Sequence, residues 1–544
     1  MGLMRFHVLD PGCIDQQSLD RACLVGPEDL PFAGRTYMHG DHLIVERRED
    51  ASAYLWMPWT LPSHGQWMLS TSSLMERQRP YQLEVELARG AVFRVRNQLA
   101  MWEQLGLQST ADIQQQVIRM TRLFARAATR QDNPRHASMA ANEALSSAAD
   151  ASVQLASLYA NQAIQGRVSV TPKLPTLIGV RLGETTPASN DATTLASACS
   201  MVAAPASWKS VEESEGKRHW EQTDKQIKWA QKENLRVACG PLLEFDELCV
   251  PEWAYLWEGD FEAIASLMIA HVQATVSRYK GRVQLWNIAA RVNRVGVLSL
   301  SDEQRLQLTA RAIRTAREID SRTPMVVSFD QPWGEYLTNS SSELGPLDYA
   351  DALERADLGV SGFGMELNIG YAPDGSSPRS PLELSRLLDQ WSLRLELPLM
   401  VAITAPSSAE EDPLASSGFR VIAGGVASAL TEKEASTDEK EDDTHDTHVL
   451  NEPLPSSSAS DTQEFTLNQA HDTRRLPVDE GLPTRWAEQN LPILIAKNCV
   501  QVVFWNQYRD DEPHQFPHGG CVTRTGEPKE VLTVIKRLRD EYLV

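Results

Sequence analysis

The sequence predicts an α/β fold in which eight parallel strands close into a (β/α)8 TIM barrel, preceded by a small β-sandwich-like domain and a helical connector. From about residue 174 onward, short apolar runs alternate with helical segments, which is the pattern of a parallel sheet. There are eight such runs, as in a closed barrel. No glycine-rich turn follows the first run, and this disfavours an open, doubly wound sheet.

Residues 1–95 form the predicted β-rich domain. Three runs with strand character are separated by Gly, Pro, Asp and Ser, which favour turns: His42–Arg47, Ser52–Met57 and Gln82–Leu87. Four aromatic residues suggest a sugar-stacking platform like that of a carbohydrate-binding module: Tyr54, Trp56, Trp59 and Trp67. The alternative is that these rings form a core and a domain interface.

Residues 96–170 form the predicted helical connector. Ile113, Val117, Met120 and Phe124 recur at helical spacing. The stretch from Ala137 to Ala163 is rich in Ala and contains neither Pro nor Gly, which favours a long helix. We therefore expect a helical hairpin that carries no chemistry.

Residues 171–544 form the predicted barrel. Its eight expected strands are Thr176–Leu182, Cys199–Ala204, Leu235–Gly240, Val283–Ala289, Pro324–Asp330, Leu358–Met365, Leu399–Thr404 and Val500–Trp505. The clearest helices between them are Phe261–Tyr279, Asp302–Ile319 and Leu382–Leu393. An insertion at about 427–479 is rich in Ser, Thr, Asp and Glu, and this composition predicts a disordered acidic segment outside the barrel.

The charge and cysteine content exclude some classes of function. A net charge of -21 disfavours nucleic acid and anionic membrane as partners, because both require a basic surface. The seven cysteines are odd in number and scattered, which indicates reduced thiols. No apolar run has the length of a signal peptide or a membrane span, so we expect a cytoplasmic protein. No motif specifies a metal or another cofactor.

Several motifs of the barrel region resemble glycoside hydrolase family 10, the xylanase family. They are Val283-Gln-Leu-Trp-Asn-Ile-Ala-Ala-Arg291, Ser207-Trp-Lys-Ser-Val-Glu-Glu-Ser-Glu-Gly216, Phe504-Trp-Asn-Gln-Tyr-Arg-Asp-Asp511 and Gly526-Glu-Pro-Lys529. The resemblance implies a barrel whose fourth strand ends in the catalytic acid/base and whose seventh strand ends in the nucleophile, both of them glutamates in the family. At these positions the chain has Arg291 and Ala405, so the resemblance also implies that the usual pair is replaced.

Other polar residues lie at the predicted carboxyl ends of the strands, where barrels carry their chemistry. Asp330 and Glu366 end adjacent strands and are candidate catalytic residues. The candidate substrate-binding residues are Trp286, Asn287, Gln331, Trp333, Asn368 and Trp505. Alternatively, the acids in the mouth only balance Arg181, Arg291 and Arg509, because buried charges need partners.

The resemblance implies a divergent glycoside hydrolase homologue that binds a β-linked polysaccharide or oligosaccharide, with hydrolysis of O-glycosidic bonds left open. The carbohydrate ligand is the expected partner. One alternative is a catalytically inactive barrel that acts as an interaction or glycan-binding protein. Another is a barrel enzyme of different chemistry that uses Asp330 and Glu366.

Overall fold

The computed structural model describes residues 2–47, 51–294, 296–338, 340, 342, 344–416, 418–422 and 478–544. Nearly all of the predicted acidic insertion at 427–479 therefore lies outside the described residues. None of the described helices is long and apolar enough to cross a membrane. All seven cysteines lie in the described part and are free thiols.

The N-terminal region contains two small sheets. One has four strands in the order Gly34–His39, His42–Arg47, Gly2–His7 and Tyr81–Gln82. The other has three strands in the order Cys23–Val25, Tyr54–Leu61 and Gly65–Ser70. The predicted strand His42–Arg47 is confirmed at both ends.

The predicted strand at Gln82–Leu87 is wrong, because a helix begins at Leu83 and continues to Gln104. Its first six residues are all buried, including Glu84 and Glu86. Charged residues that alternate with apolar ones normally indicate a half-exposed strand. Here the first one and a half turns of the helix are buried in the core, so the alternation does not indicate a strand with one exposed face. The carboxylate of Glu84 accepts a hydrogen bond from the backbone of Leu9.

Two further helices complete the connector, at Ala111–Thr129 and Pro134–Val170. Ile113, Met120 and Phe124 are buried, as their spacing predicted. Thr110 caps the first of these helices through the backbone N–H of Ile113, and Asn133 caps the second through that of His136. The connector is therefore a helical layer that packs beside the barrel.

Eight parallel strands form the barrel, numbered here as barrel strands 1 to 8. They are Leu177–Arg181, Met201–Ala204, Arg236–Cys239, Leu285–Ala290, Met325–Asp330, Gly362–Asn368, Leu399–Thr404 and Val500–Trp505. Each strand pairs in parallel with its sequence neighbours, and strand 8 pairs with strand 1, so the sheet is closed. All eight strands overlap the predicted ones, although barrel strand 6 begins at Gly362 and ends at Asn368, later than the predicted Leu358–Met365. The predicted (β/α)8 barrel is confirmed.

Helices surround the barrel, as the alternating pattern predicts. The α-helices of this region are Ser189–Ala198, Trp208–Val211, Glu221–Lys232, Phe261–Tyr279, Asp302–Ile319, Pro346–Arg355, Pro381–Arg394, Leu482–Ala496 and Glu530–Tyr542. The inside of the barrel is filled by a separate apolar cluster contributed by alternate strand residues: Leu177, Met201, Ala203, Ala238, Leu285, Val326, Met400, Ala402 and Phe504.

The N-terminal region docks against the carboxyl-terminal side of the barrel. The backbone N–H of Met68 donates to the carbonyl of Pro378, 2.7 Å away, in the loop after barrel strand 6. The Arg379 guanidinium lies between two indoles, 4.1 Å from the ring centre of Trp56 and 4.7 Å from that of Trp333. The first ring belongs to the N-terminal sheets and the second follows barrel strand 5. This cation–π contact therefore joins the two parts of the chain.

The predicted aromatic platform on the N-terminal sheets is not present. Trp56, Trp59 and Trp67 are buried in the core, and Trp56 also contacts Arg379. Tyr54 is partly buried and packs against the same core. Indoles stabilise a core through their large apolar area, and buried rings offer no face to a sugar. The alternative interpretation of these residues, a core and a domain interface, describes their positions.

Candidate functional site

A buried arginine lies at the carboxyl end of barrel strand 4. Arg291 is 0% exposed. Its Nε donates to Oε2 of Glu366 at 2.9 Å, and its Nη1 donates to Oδ2 of Asp246 at 2.7 Å. Nη1 also lies 3.7 Å from Oε1 of Glu244. One guanidinium thus lies among three carboxylates that come from barrel strand 6 and from the segment after barrel strand 3.

Two further arginines extend this ion network. Arg181 donates to Oε2 of Glu244 at 2.7 Å. Arg294 donates to Asp246 and to Asp374, each at 2.5 Å. Burial alone would raise the pKa of Glu244, but Arg181 and Arg291 outweigh it and hold this pKa below its ordinary value. Glu244, Asp246 and Glu366 are therefore each paired with an arginine, as expected if these acids serve to balance charge.

Arg509, the third arginine of the predicted charge balance, lies elsewhere. Its guanidinium pairs with Asp191 and Asp511 and does not join the network around Arg291. Arg509 follows barrel strand 8 in a turn-rich segment. The sequence therefore predicts that the residue lies near the mouth, but not which way its side chain points. Its position is a correction to the predicted charge balance.

The backbone at two strand ends is unusual. Arg291 has φ 56° and Gln331 has φ 45°, both in the left-handed region that side chains other than glycine adopt rarely. Each residue directly follows a barrel strand. Such conformations persist where the surroundings determine the backbone strongly, and they concentrate at functional sites. The ion pairs of Arg291 supply such a constraint at the first of these positions.

Asp330 ends barrel strand 5 and is 1% exposed. Its Oδ1 accepts from the backbone of Gln331 at 2.9 Å and from Nδ2 of Asn368 at 3.2 Å. Its Oδ2 is buried without a hydrogen-bond partner. Burial raises the pKa of Asp330 to about 7, with Arg291 opposing the shift and Glu366 adding to it. Asp330 is thus a carboxyl group that can hold or release a proton near neutral pH.

The two candidate catalytic residues are neighbours. Asp330 and Glu366 are paired in register on barrel strands 5 and 6, so both side chains lie on the same side of the sheet. They differ in their partners, because Glu366 is bound to Arg291 whereas Asp330 accepts only neutral donors. Asp330 and Glu366 therefore lie side by side as predicted, but Glu366 forms an ion pair with Arg291.

Trp286 and Trp505 do not reach the mouth, which corrects the predicted binding set. Leu285 and Phe504 belong to the cluster inside the barrel, so the next residue on each strand points outward. Trp286 donates its indole N–H to Asp320, and Trp505 donates to the carbonyl of Gly519. Both indoles are packed in the core outside the sheet.

Trp333 also has a different position from the one predicted. It is 8% exposed and lies against Arg379 at the junction with the N-terminal sheets. An indole held in this way cannot offer a free face to a sugar ring. The sequence could not foretell this, because Trp56 and Trp333 are almost 280 residues apart and no local pattern links them.

The two candidate asparagines lie inside the barrel. Asn287 accepts from Ser328 and lines a small cavity of about 30 Å³, together with Arg181, Glu366 and Asn506. Asn368 is fully buried and joins Asp330 to Asn506. Both residues belong to a polar layer below the mouth, and this layer has room for about two water molecules.

A larger cavity of about 550 Å³ lies above this layer, between the barrel and the N-terminal region. Among the predicted binding residues, Gln331 is the one that lines it. The barrel side also includes Arg294, Tyr336, Tyr371 and Asp374. The facing side comes from the N-terminal region: Gln17, Asp20, Arg21, Cys23 and Met68. This volume is within the range of small-molecule sites, about 300–1,000 Å³.

Sequence reasoning missed the N-terminal wall of this cavity. Gln17, Asp20 and Arg21 belong to the short helix Gln16–Arg21, whose polar composition is that of any exposed helix. Their role depends on how the N-terminal region docks, and docking leaves no local signal in sequence. Within the described residues, no group of three or more His, Cys, Asp or Glu side chains is arranged to hold a metal ion.

Comparisons with known proteins agree with the sequence resemblance. Residues 176–298 match the model of glycosyl hydrolase family 10, and this range contains barrel strands 1 to 4 and Arg291. The chain is 33% identical to endo-1,4-beta-xylanase C of Paenibacillus barcinonensis over 84 residues, which is 14% of this chain and 8% of that protein. The match thus spans less than a tenth of this relative.

Two solved structures illustrate the structural similarity. Xylanase 10B of Thermotoga petrophila, in complex with xylobiose, is 12% identical with a TM-score of 0.43, and the comparison covers 67% of this chain and 94% of that one. A family 10 xylanase of Thermobacillus composti is 17% identical with a TM-score of 0.41, covering 67% and 96%. This chain therefore has a closed barrel of eight parallel strands, the first half of which matches the model of glycosyl hydrolase family 10.

Proposed function

We propose that this chain binds a β-linked glycan at the mouth of its barrel and does not catalyse the retaining hydrolysis that the family resemblance would suggest. The observation that carries the proposal is Arg291, buried among Glu244, Asp246 and Glu366 at the end of barrel strand 4. A retaining glycosidase needs two carboxyl groups about 5–5.5 Å apart, one free to attack and one free to transfer a proton. Carboxylates that are bound to arginine are held in their ionised form and do not serve as proton donors.

The seventh strand supports the same proposal. Ala405 directly follows barrel strand 7, at the position that the resemblance assigns to the nucleophile, and its side chain is buried. A methyl group cannot attack an anomeric carbon. With Arg291 and Ala405 at the two positions that the resemblance assigns to the catalytic glutamates, we infer that the chain lacks both the acid/base and the nucleophile.

The cavity above the ion network supports binding. It has the volume of a small-molecule site and is lined by amide, hydroxyl and charged groups, with Tyr336 and Tyr371 among them. A saccharide offers many hydroxyl groups that can pair with such a lining. The relatives named above are xylanases, so β-1,4-linked xylo-oligosaccharides are the first ligands to test.

Hydrolysis assays test the catalytic half of the proposal. Purified wild-type protein is expected to release no reducing ends from xylan or from aryl β-xylosides above the rate of a blank. Ala405→Glu alone is expected to remain inactive, because Arg291 still occupies the other position. Circular dichroism should establish that this variant is folded. Wild-type turnover that persists in both Asp330→Asn and Glu366→Gln would show that the catalytic centre lies elsewhere.

A second candidate is a barrel enzyme that uses Asp330 as its general acid. The observation that favours it is the pKa of about 7 of this carboxyl, which suits proton donation at neutral pH. The neighbouring Glu366 would have to leave Arg291 in order to act. Slow turnover that is abolished by Asp330→Asn while oligosaccharide binding is retained would favour this candidate over a binding protein.

A further inference from the structure

We propose that the cavity takes the end of a neutral glycan chain, or a short oligosaccharide, and that the N-terminal region forms one wall of this site. The inference rests on the proposed function and names its substrate class. An open groove across the barrel mouth would let a long polysaccharide pass through at any point along its length. A groove that is closed on one side accepts only a chain end or a short chain.

The wall consists of the helix Gln16–Arg21 and the strand Gly65–Ser70. Gln17, Asp20 and Arg21 from the helix and Met68 from the strand line the cavity. The opposite side is formed by loops that follow barrel strands 4 to 7, including Gln331. A ligand in this space would contact both parts of the chain.

The wall is held firmly against the ends of barrel strands 5 and 6. Arg21 donates to Oγ of Ser377 at 3.3 Å, and the backbone of Met68 donates to Pro378. A second contact uses glycine. A Cβ built on Gly345 would lie 2.7 Å from the side chain of Leu30, so a side chain at this position would require Leu30 to move. A long polymer that crossed the mouth in this direction would meet this wall.

The charges of the lining favour a neutral ligand. Among the described residues the cavity is lined by three arginines and three acids: Arg21, Arg294, Arg420, Asp20, Glu335 and Asp374. Arg294 pairs with Asp374, and Glu335 pairs with the neighbouring Arg379. Most of the other polar groups of the lining are amides and hydroxyls, among them Gln17, Gln331, Tyr336, Tyr371, Thr338 and Ser377. A balanced lining suits the hydroxyl groups of a neutral sugar better than a uronate or a sugar phosphate.

Calorimetric titration with β-1,4-xylo-oligosaccharides of increasing length, and with xylan fractions of defined mean length, tests this inference. We expect the affinity for one oligosaccharide molecule to rise as the first few xylose units are added and then to stay constant as the chain grows longer. For long chains, the number of protein molecules bound per chain should stay at one. Several protein molecules bound along each long chain would overturn the inference while leaving the proposed function intact. No binding of any oligosaccharide at millimolar concentration would overturn the proposed function and the inference together.

A pair of matched variants tests the wall. Gln17→Ala removes an amide from the cavity, whereas Gln115→Ala removes one from an exposed helix position in the connector. Gln17→Ala is expected to weaken oligosaccharide binding about two- to tenfold, the effect of one lost hydrogen bond. Gln115→Ala should bind as wild type does. Unchanged affinity in both Gln17→Ala and Asp20→Ala would show that the N-terminal region does not contact the ligand.

Discussion

Replacing Arg291 by methionine is expected to lower the free energy of unfolding by about 3–5 kcal/mol at neutral pH, the cost of leaving a buried charge without its partner. Methionine has a similar length and fills the space without a charge. Glu244 still pairs with Arg181, and Asp246 still pairs with Arg294. Glu366 is therefore the carboxylate that loses its arginine partner. Urea denaturation of the two proteins, followed by Trp fluorescence, measures the difference.

The loss should depend on pH. Arg291 helps to hold the pKa values of Glu244 and Asp246 below their ordinary values of 4.5 and 3.8. Carboxyl groups with a lowered pKa contribute stability above the pKa of the unfolded chain and lose it as the pH falls through the folded-state pKa. The difference between wild type and Arg291→Met should therefore shrink below about pH 4.5.

An exposed ion pair provides the control for this experiment. Arg311 pairs with Glu262 on the surface, where water screens the charges, so Arg311→Met is expected to lower the free energy of unfolding far less than Arg291→Met does. Arg291→Lys keeps the charge but cannot bind two carboxylates in the same geometry, and it should fall between the two methionine variants. If Arg291→Met unfolds at the same urea concentration as wild type, the network does not stabilise the barrel.

Asp330→Asn is expected to stabilise the protein at pH 8, by up to about 4 kcal/mol on the scale of 1.36 kcal/mol per pKa unit. Asparagine resembles the neutral acid in size and can accept the same hydrogen bonds from Gln331 and Asn368. In the wild type, burial raises the pKa of Asp330 to about 7 from an ordinary value of 3.8. At pH 8 the folded wild type must therefore carry a charge that burial disfavours.

The sign of the effect follows from proton linkage. Between about pH 4 and pH 7 the folded chain retains a proton on Asp330 that the unfolded chain has lost, so wild-type stability falls as the pH rises through this window. The amide of the Asp330→Asn variant does not titrate in this range. The free energy of unfolding of Asp330→Asn should thus equal that of wild type near pH 4. The difference between the two should grow up to pH 7 and remain constant above it.

The exposed position Asp132 offers a matched control, because Asp132→Asn should change stability by less than about 0.5 kcal/mol at every pH. Thermal unfolding of the three proteins from pH 4 to pH 8 measures the effect. If Asp330→Asn instead destabilised the protein at pH 8 and this loss disappeared at pH 4, the pKa of Asp330 would be lowered by Arg291 and not raised by burial, and the predicted stabilisation would be wrong.

The barrel could be predicted from sequence because its signals are local. Each strand is a short apolar run, and helices such as Phe261–Tyr279 show their period within one segment. The error at Leu83–Leu87 arose where a helix begins inside the core and its buried glutamates imitate a strand. The family resemblance identified the motif that ends in Arg291, which lies in the region of the family match.

The candidate site could be predicted only in part. The strand-end rule brought Asp330 and Glu366 together correctly, because parallel neighbours meet in register. It failed for Trp286 and Trp505, since one residue of offset along a strand moves a side chain from the inside of the barrel to the outside. The wall around Gln17 could not be foreseen, because contacts between distant segments leave no periodic pattern in the chain.

Binding of a β-linked glycan without its hydrolysis is tested most directly when both are measured in one sample. A β-1,4-linked xylohexaose is mixed with wild-type protein, and saturation-transfer NMR reports contact while the anomeric proton signals report new reducing ends. We expect saturation transfer to the sugar, and anomeric signals that stay constant over days. New reducing ends that appear first in the β-configuration, at a rate proportional to protein concentration, would contradict it, because they would require the free carboxylate pair that Arg291 is proposed to preclude.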